Sequence, residues 1–417
     1  MLRELTFAPG DSIATSDLDS VLEDNRKRLF NLRLFHTVDY TYTCEDGRVA
    51  VVYTVQERFY IYPIPIFDFA DRNFSAWLER KDLDRLDYGL LLIQKNFRGR
   101  NEELRVRLQR GFNRRIEFTY RNPYLVPKLK LGADFGVSDY RSRTISYNVI
   151  NHRQALYEQE KGVPIRRSSV FGSVYYRENV QRQSIFRMSY HFEKISDEVS
   201  ELNPLYFGDG RTSRESIRLD LIRVVNLRNN FVYPLTGSYF ELGAGQAFFL
   251  ENSGDAFTAF RGKYVRYLKL SEKFYYTVGA EAQARFAKEY AFTDNVALGY
   301  RSQVRGYELY VVGGQHHALM KQGVSREMLK VEGIKIGFIK NPKLNTIPLA
   351  VYLNAFTDAG YAIDNHFAEL NPLTNRWLLG AGLGVHIITF YDIVGRAEYT
   401  FNREGDRGLY LSTGIPF

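Results

Sequence analysis

From about residue 60 to the end, one pattern dominates this chain: apolar and polar residues alternate with a period of two. In "FYYTVGAEAQARFA", Tyr276, Val278, Ala280, Ala282, Ala284 and Phe286 alternate with Thr277, Gly279, Glu281, Gln283 and Arg285. "RWLLGAGLGVHII" sets Trp377, Leu379, Ala381, Leu383, Val385 and Ile387 against Gly380, Gly382, Gly384 and His386. The closing "GLYLSTGIPF" sets Leu409, Leu411, Thr413, Ile415 and Phe417 against Tyr410, Ser412 and Gly414. Successive side chains of a strand point to opposite faces, so each run predicts a strand with one apolar face. The 15% of aromatic residues and the 32 glycines favour strands and turns over helices.

A soluble sandwich or propeller also alternates, so the connections have to decide. Short links, such as "ENVQR" (Glu178 to Arg182) and "SEK" (Ser271 to Lys273), are interleaved with long polar ones. The long ones run from Asp139 to Arg167, Glu193 to Glu215, Lys288 to His317 and Tyr361 to Arg376. A transmembrane β-barrel has short turns at one rim and long loops at the other, and a sandwich gives no reason for that interleaving. The pattern yields about sixteen strands, an even number that returns the C-terminus to the side of the N-terminus, with Thr144 to Gln159 taken as part of a long loop. In hydrocarbon every unpaired backbone N–H or C=O costs several kcal/mol, so such a sheet has to close. The lumen of so large a barrel is too wide for side chains to fill, and something else has to occupy it.

Other classes are excluded or disfavoured. No apolar run, "LLLI" at Leu90 to Ile93 included, approaches the length of a transmembrane helix. A mean hydropathy of -0.33 does not argue against a barrel, whose strands alternate. Cys44 is the single cysteine, no Cys/His spacing resembles a metal site, and His316 and His317 read as part of a polar loop. None of the seven histidines stands in a Ser/His/Asp motif, so neither a cofactor nor an enzyme is expected, although a barrel lipase or protease could assemble a triad in space. The net charge of +8 is scattered without a basic tract, and no nucleic acid is expected. Tyr124, Tyr233, Phe390 and Tyr391 are expected in the aromatic girdles of the membrane interfaces.

Residues 1–58 differ from the rest. In "TSDLDSVLEDNRKRLFNLRLF", Ser16 is expected to cap a helix carrying Leu18, Val21, Leu22 and Leu29 at helical spacing. Two β-rich runs, Val38 to Thr43 and Val49 to Val55, follow around a Glu-Asp-Gly turn.

Several separated stretches together resemble the outer-membrane assembly-factor superfamily, which includes BamA- and TamA-like proteins and the two-partner-secretion transporters. "NLRLFHTVDY" is similar to the helix-to-strand junction of a POTRA domain. "NLRNNFVYPLTGSYFEL", with Pro234 and Gly237, resembles a barrel turn. Val304, Arg305, Gly306 and Tyr307 match the tip of the sixth extracellular loop. "FTDAG", with Phe356, Asp358 and Gly360, matches a late strand, and Phe417 matches the terminal aromatic that marks new barrels.

The resemblance implies a mainly β fold: a partial α+β POTRA domain at 1–58 and a sixteen-stranded antiparallel transmembrane β-barrel at 59–417, with loop 288–317 folded inward. By alternation Asp358 points into the lumen, where Arg305 can meet it in a charge-assisted pair. The family offers a second acid on the strand after the loop; here Val324 stands there, beside Arg326 and a shifted Glu327. "LRELTFAPGDS" resembles the end of a first POTRA helix, so a fragment or shortened chain is expected. The implied function is assembly and insertion of β-barrel proteins into the bacterial outer membrane, without covalent chemistry. A polypeptide-secretion pore is the nearest alternative, and a surface receptor or adhesin a more distant one. The implied partners are unfolded outer-membrane proteins, outer-membrane lipid and accessory periplasmic lipoproteins.

Overall fold

A computed structural model describes residues 2–69, 85–160, 162–251, 256–335, 337, 346–389 and 393–415. Helix α1, Leu18–Phe30, buries Leu18, Leu22, Asn25 and Leu29, while Val21 is only half-buried. Ser16 does not cap it. Asp17 holds the N-cap position without a side-chain cap bond, because Ser16 lies within a preceding 3-10 turn and its hydroxyl donates to Asp17 instead. Strands β1 (Phe35–Glu45) and β2 (Arg48–Glu57) form a hairpin longer than the expected runs. Its two-residue turn has φ of 48° at Asp46 and 72° at Gly47, the geometry that matches strand twist and keeps pairing up to Glu45 and Arg48. Phe35 and Val38 pack with Leu29 and Leu34 between helix and hairpin.

The remaining strands are β3 (Ile61–Phe69), β4 (Leu86–Phe97), β5 (Glu102–Gly111), β6 (Asn113–Val126), β7 (Leu131–Ser142), β8 (Thr144–Ile150), β9 (Arg153–Glu158), β10 (Ile165–Arg177), β11 (Arg182–Ile195), β12 (Ser213–Asn226), β13 (Gly237–Phe249), β14 (Ala256–Lys269), β15 (Phe274–Ala287), β16 (His316–Lys335), β17 (Thr346–Ile363), β18 (Trp377–Thr389), β19 (Ile393–Asn402) and β20 (Arg407–Thr413). Among the described residues, β3 to β7 and β10 to β20 form one antiparallel sheet of sixteen strands in chain order, with β3 and β20 at its two ends. A short helix, α2 (Asp197–Leu202), lies in the connection from β11 to β12.

The run Thr144 to Gln159 lies, as expected, within the long connection from β7 to β10 and outside the sixteen-stranded sheet; there β8 and β9 pair as a separate hairpin around Asn151 and His152, both at positive φ. His316 and His317 are not in a loop but open β16, with His317 buried and His316 stacked on Phe286 on the opposite face.

The sheet curls around an interior. Groups far apart along the ladder meet: the Asn151 N–H donates to Leu370 O at 2.9 Å between two long connections, and Tyr233 Oη lies 2.8 Å from His386 Nδ1 between a short turn and β18. The outer face leaves Leu221, Phe260, Tyr264, Leu383, Leu409 and Leu411 exposed. So continuous an apolar band is stabilised by hydrocarbon rather than by water. Tyr124 and Tyr233 do not belong to that outer face. Tyr233, in the connection from β12 to β13, is buried against Tyr352 and His386, and Tyr124, near the end of β6, bonds Glu4 and Arg177. Phe390, Tyr391 and Phe417 lie outside the described residues.

The N-terminal unit docks at the short-turn end of the sheet. Glu4, 2% exposed, accepts bonds from the Tyr124 hydroxyl, from Arg177 Nη1 at 2.5 Å and from the Val180 N–H at 3.0 Å. At the end of α1, Asn31 accepts from the Phe231 N–H at 3.0 Å and donates to Arg228 O at 3.3 Å. Gly237 closes that turn at φ 104°, where a Cβ would overlap the Leu227 carbonyl oxygen, while Pro234 stands three residues before it.

Candidate functional site

The connection 288–315 between β15 and β16 turns into the interior rather than outward. An Asn-Gln-Asp cluster holds its base: Asn295 Nδ2 donates to Asp364 at 2.6 Å, and Gln315 Nε2 donates to Asn295 Oδ1 at 2.7 Å and to Asp364 Oδ1 at 2.9 Å. Its middle joins the β8–β9 hairpin through the Val311 N–H to His152 O at 2.9 Å. An isolated bridge pairs Leu298 with Val312, which narrows the loop to a tip. Leu298, Val304, Tyr307 and Val312 pack with Leu319, Ala362, Leu373 and Leu378 of the surrounding strands and loop, so the tip has its own apolar core.

Arg305 stands at that tip, 4% exposed. Its guanidinium grips Asp358 bidentately, Nη2 to Oδ1 at 2.6 Å and Nε to Oδ2 at 2.8 Å, and its backbone N–H adds a bond to Oδ2 at 3.1 Å. Asp358 lies on the inward row of β17 with Tyr352, Asn354, Phe356 and Gly360. The guanidinium also sits over the Phe356 ring, 3.6 Å from its centroid. A desolvated cation over an aromatic face contributes on the order of 2 kcal/mol.

The second acid does not come from β16. Val324 is partly exposed, and Glu327 accepts from the Tyr352 hydroxyl at 3.2 Å. Glu398 on β19 takes that place: Arg305 Nη1 donates to its Oε1 at 3.2 Å, while Arg396 Nη1 reaches its Oε2 at 2.8 Å and His386 Nε2 lies 3.4 Å from Oε1. The loop tip therefore ties β17 to β19 across β18. The sequence carried a signal for Glu398, because Arg396, Glu398, Thr400 and Asn402 form the polar half of an alternating strand.

Glycines make room for this arrangement. Gly306 has φ 97°, its N–H donates to Glu308 Oε2 at 2.8 Å, and its carbonyl accepts from Asn402 Nδ2 at 2.8 Å. A Cβ on Gly380 would overlap the Arg305 carbonyl oxygen, and one on Gly360 would press into Val304. Gly380, on the inward face of β18, is thus the shelf on which the loop backbone lies.

Around the tip remain water-accessible spaces. One of about 290 Å³ is bounded by Lys263, Glu281, Arg305, Lys321, Glu398 and Tyr410, and another of about 880 Å³ by Arg107, Arg115, Arg167, Glu193, Tyr300 and Arg301. Among the described residues no group of three His, Cys, Asp or Glu is arranged to hold a metal ion, and no helix is long and apolar enough to cross a membrane. Cys44 is exposed on the N-terminal hairpin.

A family model, the Omp85 superfamily domain, matches residues 96–391. The sequence matches no curated protein. Among solved structures the chain is similar to BamA from Haemophilus ducreyi lacking POTRA domains 1-3, with a TM-score of 0.56 and 14% identity over 99% of this chain and 80% of that one. It is also similar to CdiB from Escherichia coli, with a TM-score of 0.53 and 13% identity over 99% of this chain and 73% of that one. At such identities these two likenesses concern the fold.

Proposed function

Since the chain belongs to the Omp85 superfamily, a family of outer-membrane β-barrel insertases and transporters, we propose that it assembles and inserts β-barrel proteins in the bacterial outer membrane. In this reading residues 59–417 form a sixteen-stranded barrel that closes between β3 and β20, residues 1–58 are a partial POTRA-like domain in the periplasm, and no covalent chemistry takes place. The substrates are unfolded outer-membrane proteins, received beside lipid and with the help of periplasmic lipoproteins.

One contrast carries the proposal. The interior is blocked where loop 288–315 is bolted to β17 and β19, whereas the ladder has two ends, at β3 and β20, with no hydrogen-bonded pairing between them among the described residues. A polypeptide passing through the lumen would first have to break a buried ion pair. A strand arriving at a ladder end meets unpaired backbone groups, the usual template for β-augmentation. The N-terminal hairpin, docked at the short-turn end, offers a further edge close to where a substrate would arrive. Arg305, Gly306, Tyr307 and Asp358 then act as the lock that keeps the rear wall in register while the seam works.

The secretion-pore reading shares this fold, and depletion in cells separates the two. Assembly predicts lower levels of many unrelated outer-membrane proteins; loss of a single secreted protein, with the others unchanged, would overturn it.

A further inference from the structure

The locked loop leaves one wall of the interior open to water. Three spaces of about 630, 350 and 880 Å³ follow one another beside the loop, from the short-turn end, where Arg228 and Tyr267 stand, up to the β8–β9 hairpin. The lower and middle spaces share Arg261, Gln283 and Arg285, and the middle and upper ones share Ser169 and His191. Arg301, four residues before Arg305, borders all three and is exposed to them. Eleven arginines and lysines line these spaces against five aspartates and glutamates, in a chain whose net charge is +8. The basic surplus that looks scattered along the sequence is therefore concentrated on the inner wall.

Several of these cations have an acid of their own: Arg167 meets Glu193 at 3.0 Å, Arg261 meets Glu241 at 3.3 Å and Lys263 meets Glu281 at 3.3 Å. Arg218 on β12, Arg285 on β15 and Arg301 on the loop, which together border the middle space, make no ion pair among the described residues. The guanidinium carbons of Arg218 and Arg285 lie 5.5 and 5.2 Å from the centroid of one ring, Phe257. Arg218 Nε and Arg285 Nε and Nη1 are buried without a hydrogen-bond partner among the described residues. Asp294, the acid that acts on Arg285, is itself held by Arg214 at 2.6 Å. The ring orients the two guanidinium groups but offers no carboxylate, so like charges stand side by side with donors unused, an arrangement that an anion would complete.

We propose that Arg218, Arg285 and Arg301 form a binding site for a soluble multivalent oxyanion of the phosphate type inside the barrel. The guanidinium fork matches phosphate oxygens bidentately, and arginines lining a membrane pore select anions and phosphates. Three forks, from two strands and a loop, suit an anion with several oxygens better than chloride. Leu221 and Phe286, on the opposite faces of the same two strands, are exposed on the outer surface, so the arginines are reached from the aqueous interior and not from lipid. The lock at Arg305 holds the loop that carries the third fork. This site goes beyond the reading above, needing its closed barrel but not its assembly activity.

The test titrates inorganic pyrophosphate into the whole chain, folded in zwitterionic detergent, by calorimetry at constant ionic strength, with folding of every variant checked by heat-modified gel mobility. Binding should be saturable. Arg218→Gln and Arg285→Gln should each weaken it about tenfold or more, the loss of one charge-assisted hydrogen bond. Arg301→Gln, which alters an exposed side chain without disturbing packing, should weaken it too. Arg285→Lys, which keeps the charge, should cost less than Arg285→Gln, and Lys128→Gln, at an exposed turn, should change nothing. Neither chloride nor phosphatidylglycerol added to the micelles should displace the pyrophosphate. Absence of saturable binding, affinity unmoved by the three glutamine variants in folded protein, an equal loss with Lys128→Gln, or displacement by phosphatidylglycerol overturns the site. Porin folding in vesicles is measured on the same preparation, so failure of the site and failure of the assembly reading are told apart.

Discussion

The rear wall and the seam are made from the same kind of strand yet are held in opposite ways. At the rear, β16 and β17 run for 20 and 18 residues, and a loop tip pins β17 to β19 through Arg305, Asp358 and Glu398. At the proposed seam, the two ends of the ladder, β3 and β20 have 9 and 7 residues, β3 carries Pro63 and Pro65, and no pairing joins them among the described residues. The ladder alone would make every junction similar in strength. The difference comes from what is added: a buried charge network on one side, and missing donors on the other.

The largest expected effect comes from removing the lock. Arg305→Ala removes the bidentate cation from buried Asp358 and leaves Glu398 to Arg396 and His386, and breaking such a network costs about 3–5 kcal/mol. The heat-modified gel-mobility transition should fall by many degrees and assembly in vesicles should fall with it. The double reversal Arg305→Asp with Asp358→Arg should recover part of both. No change in either single variant would remove the lock from the account.

Next is the shelf. Gly380→Val puts a branched side chain where the Arg305 carbonyl lies, and overpacking of this kind costs about 1–3 kcal/mol. The loop tip should lift, seen as new protease cleavage near residues 300–308, while Gly395→Val, with open space at its Cβ position, should leave the cleavage pattern unchanged. Glu398→Gln should act more weakly than Arg305→Ala, because Asp358 keeps its bidentate grip.

The smallest effect concerns the loop's outer anchor. The Tyr310 hydroxyl, 2.7 Å away, and then the Asn402 amide hold the Asp406 carboxyl below its usual range. A depressed carboxylate contributes stability above its unfolded pKa of about 3.9 and loses it as pH falls through the lower folded value. Tyr310 fluorescence or local protease sensitivity should thus be flat from neutral pH to about that unfolded value and change only below it. Tyr310→Phe should weaken that change, leaving the part that the Asn402 amide contributes.

Much of this was legible in the sequence because strand chemistry is local. Period-two alternation gave the strands, and the parity of Asp358 put it on the inward face before any partner was known. What stayed hidden depended on distance along the chain. Glu398 lies 93 residues from Arg305, and alternation says only that it faces inward, not that β19 passes beside the loop tip. Gly360 stood in the sequence as part of "FTDAG" and Gly380 as one residue of an alternating strand, and their role in seating the loop exists only once the loop is in place. Ser16 looked like a cap from its spacing, but a 3-10 turn moved the helix start past it. Tyr124 and Tyr233 looked like interface aromatics, and only the docked N-terminal unit and the curl of the sheet turned them inward.

The most direct measurement joins the two regions in one protein. With Cys44→Ser, cysteines at Phe67 and Leu409, both exposed near the long-loop end of the seam, are bridged by a reducible bifunctional linker, and porin assembly in vesicles is followed before and after reduction. A seam that opens while the Arg305 lock holds predicts that assembly stops on bridging and returns on reduction, with the heat-modified transition unchanged or raised. Full assembly with the seam bridged would contradict it.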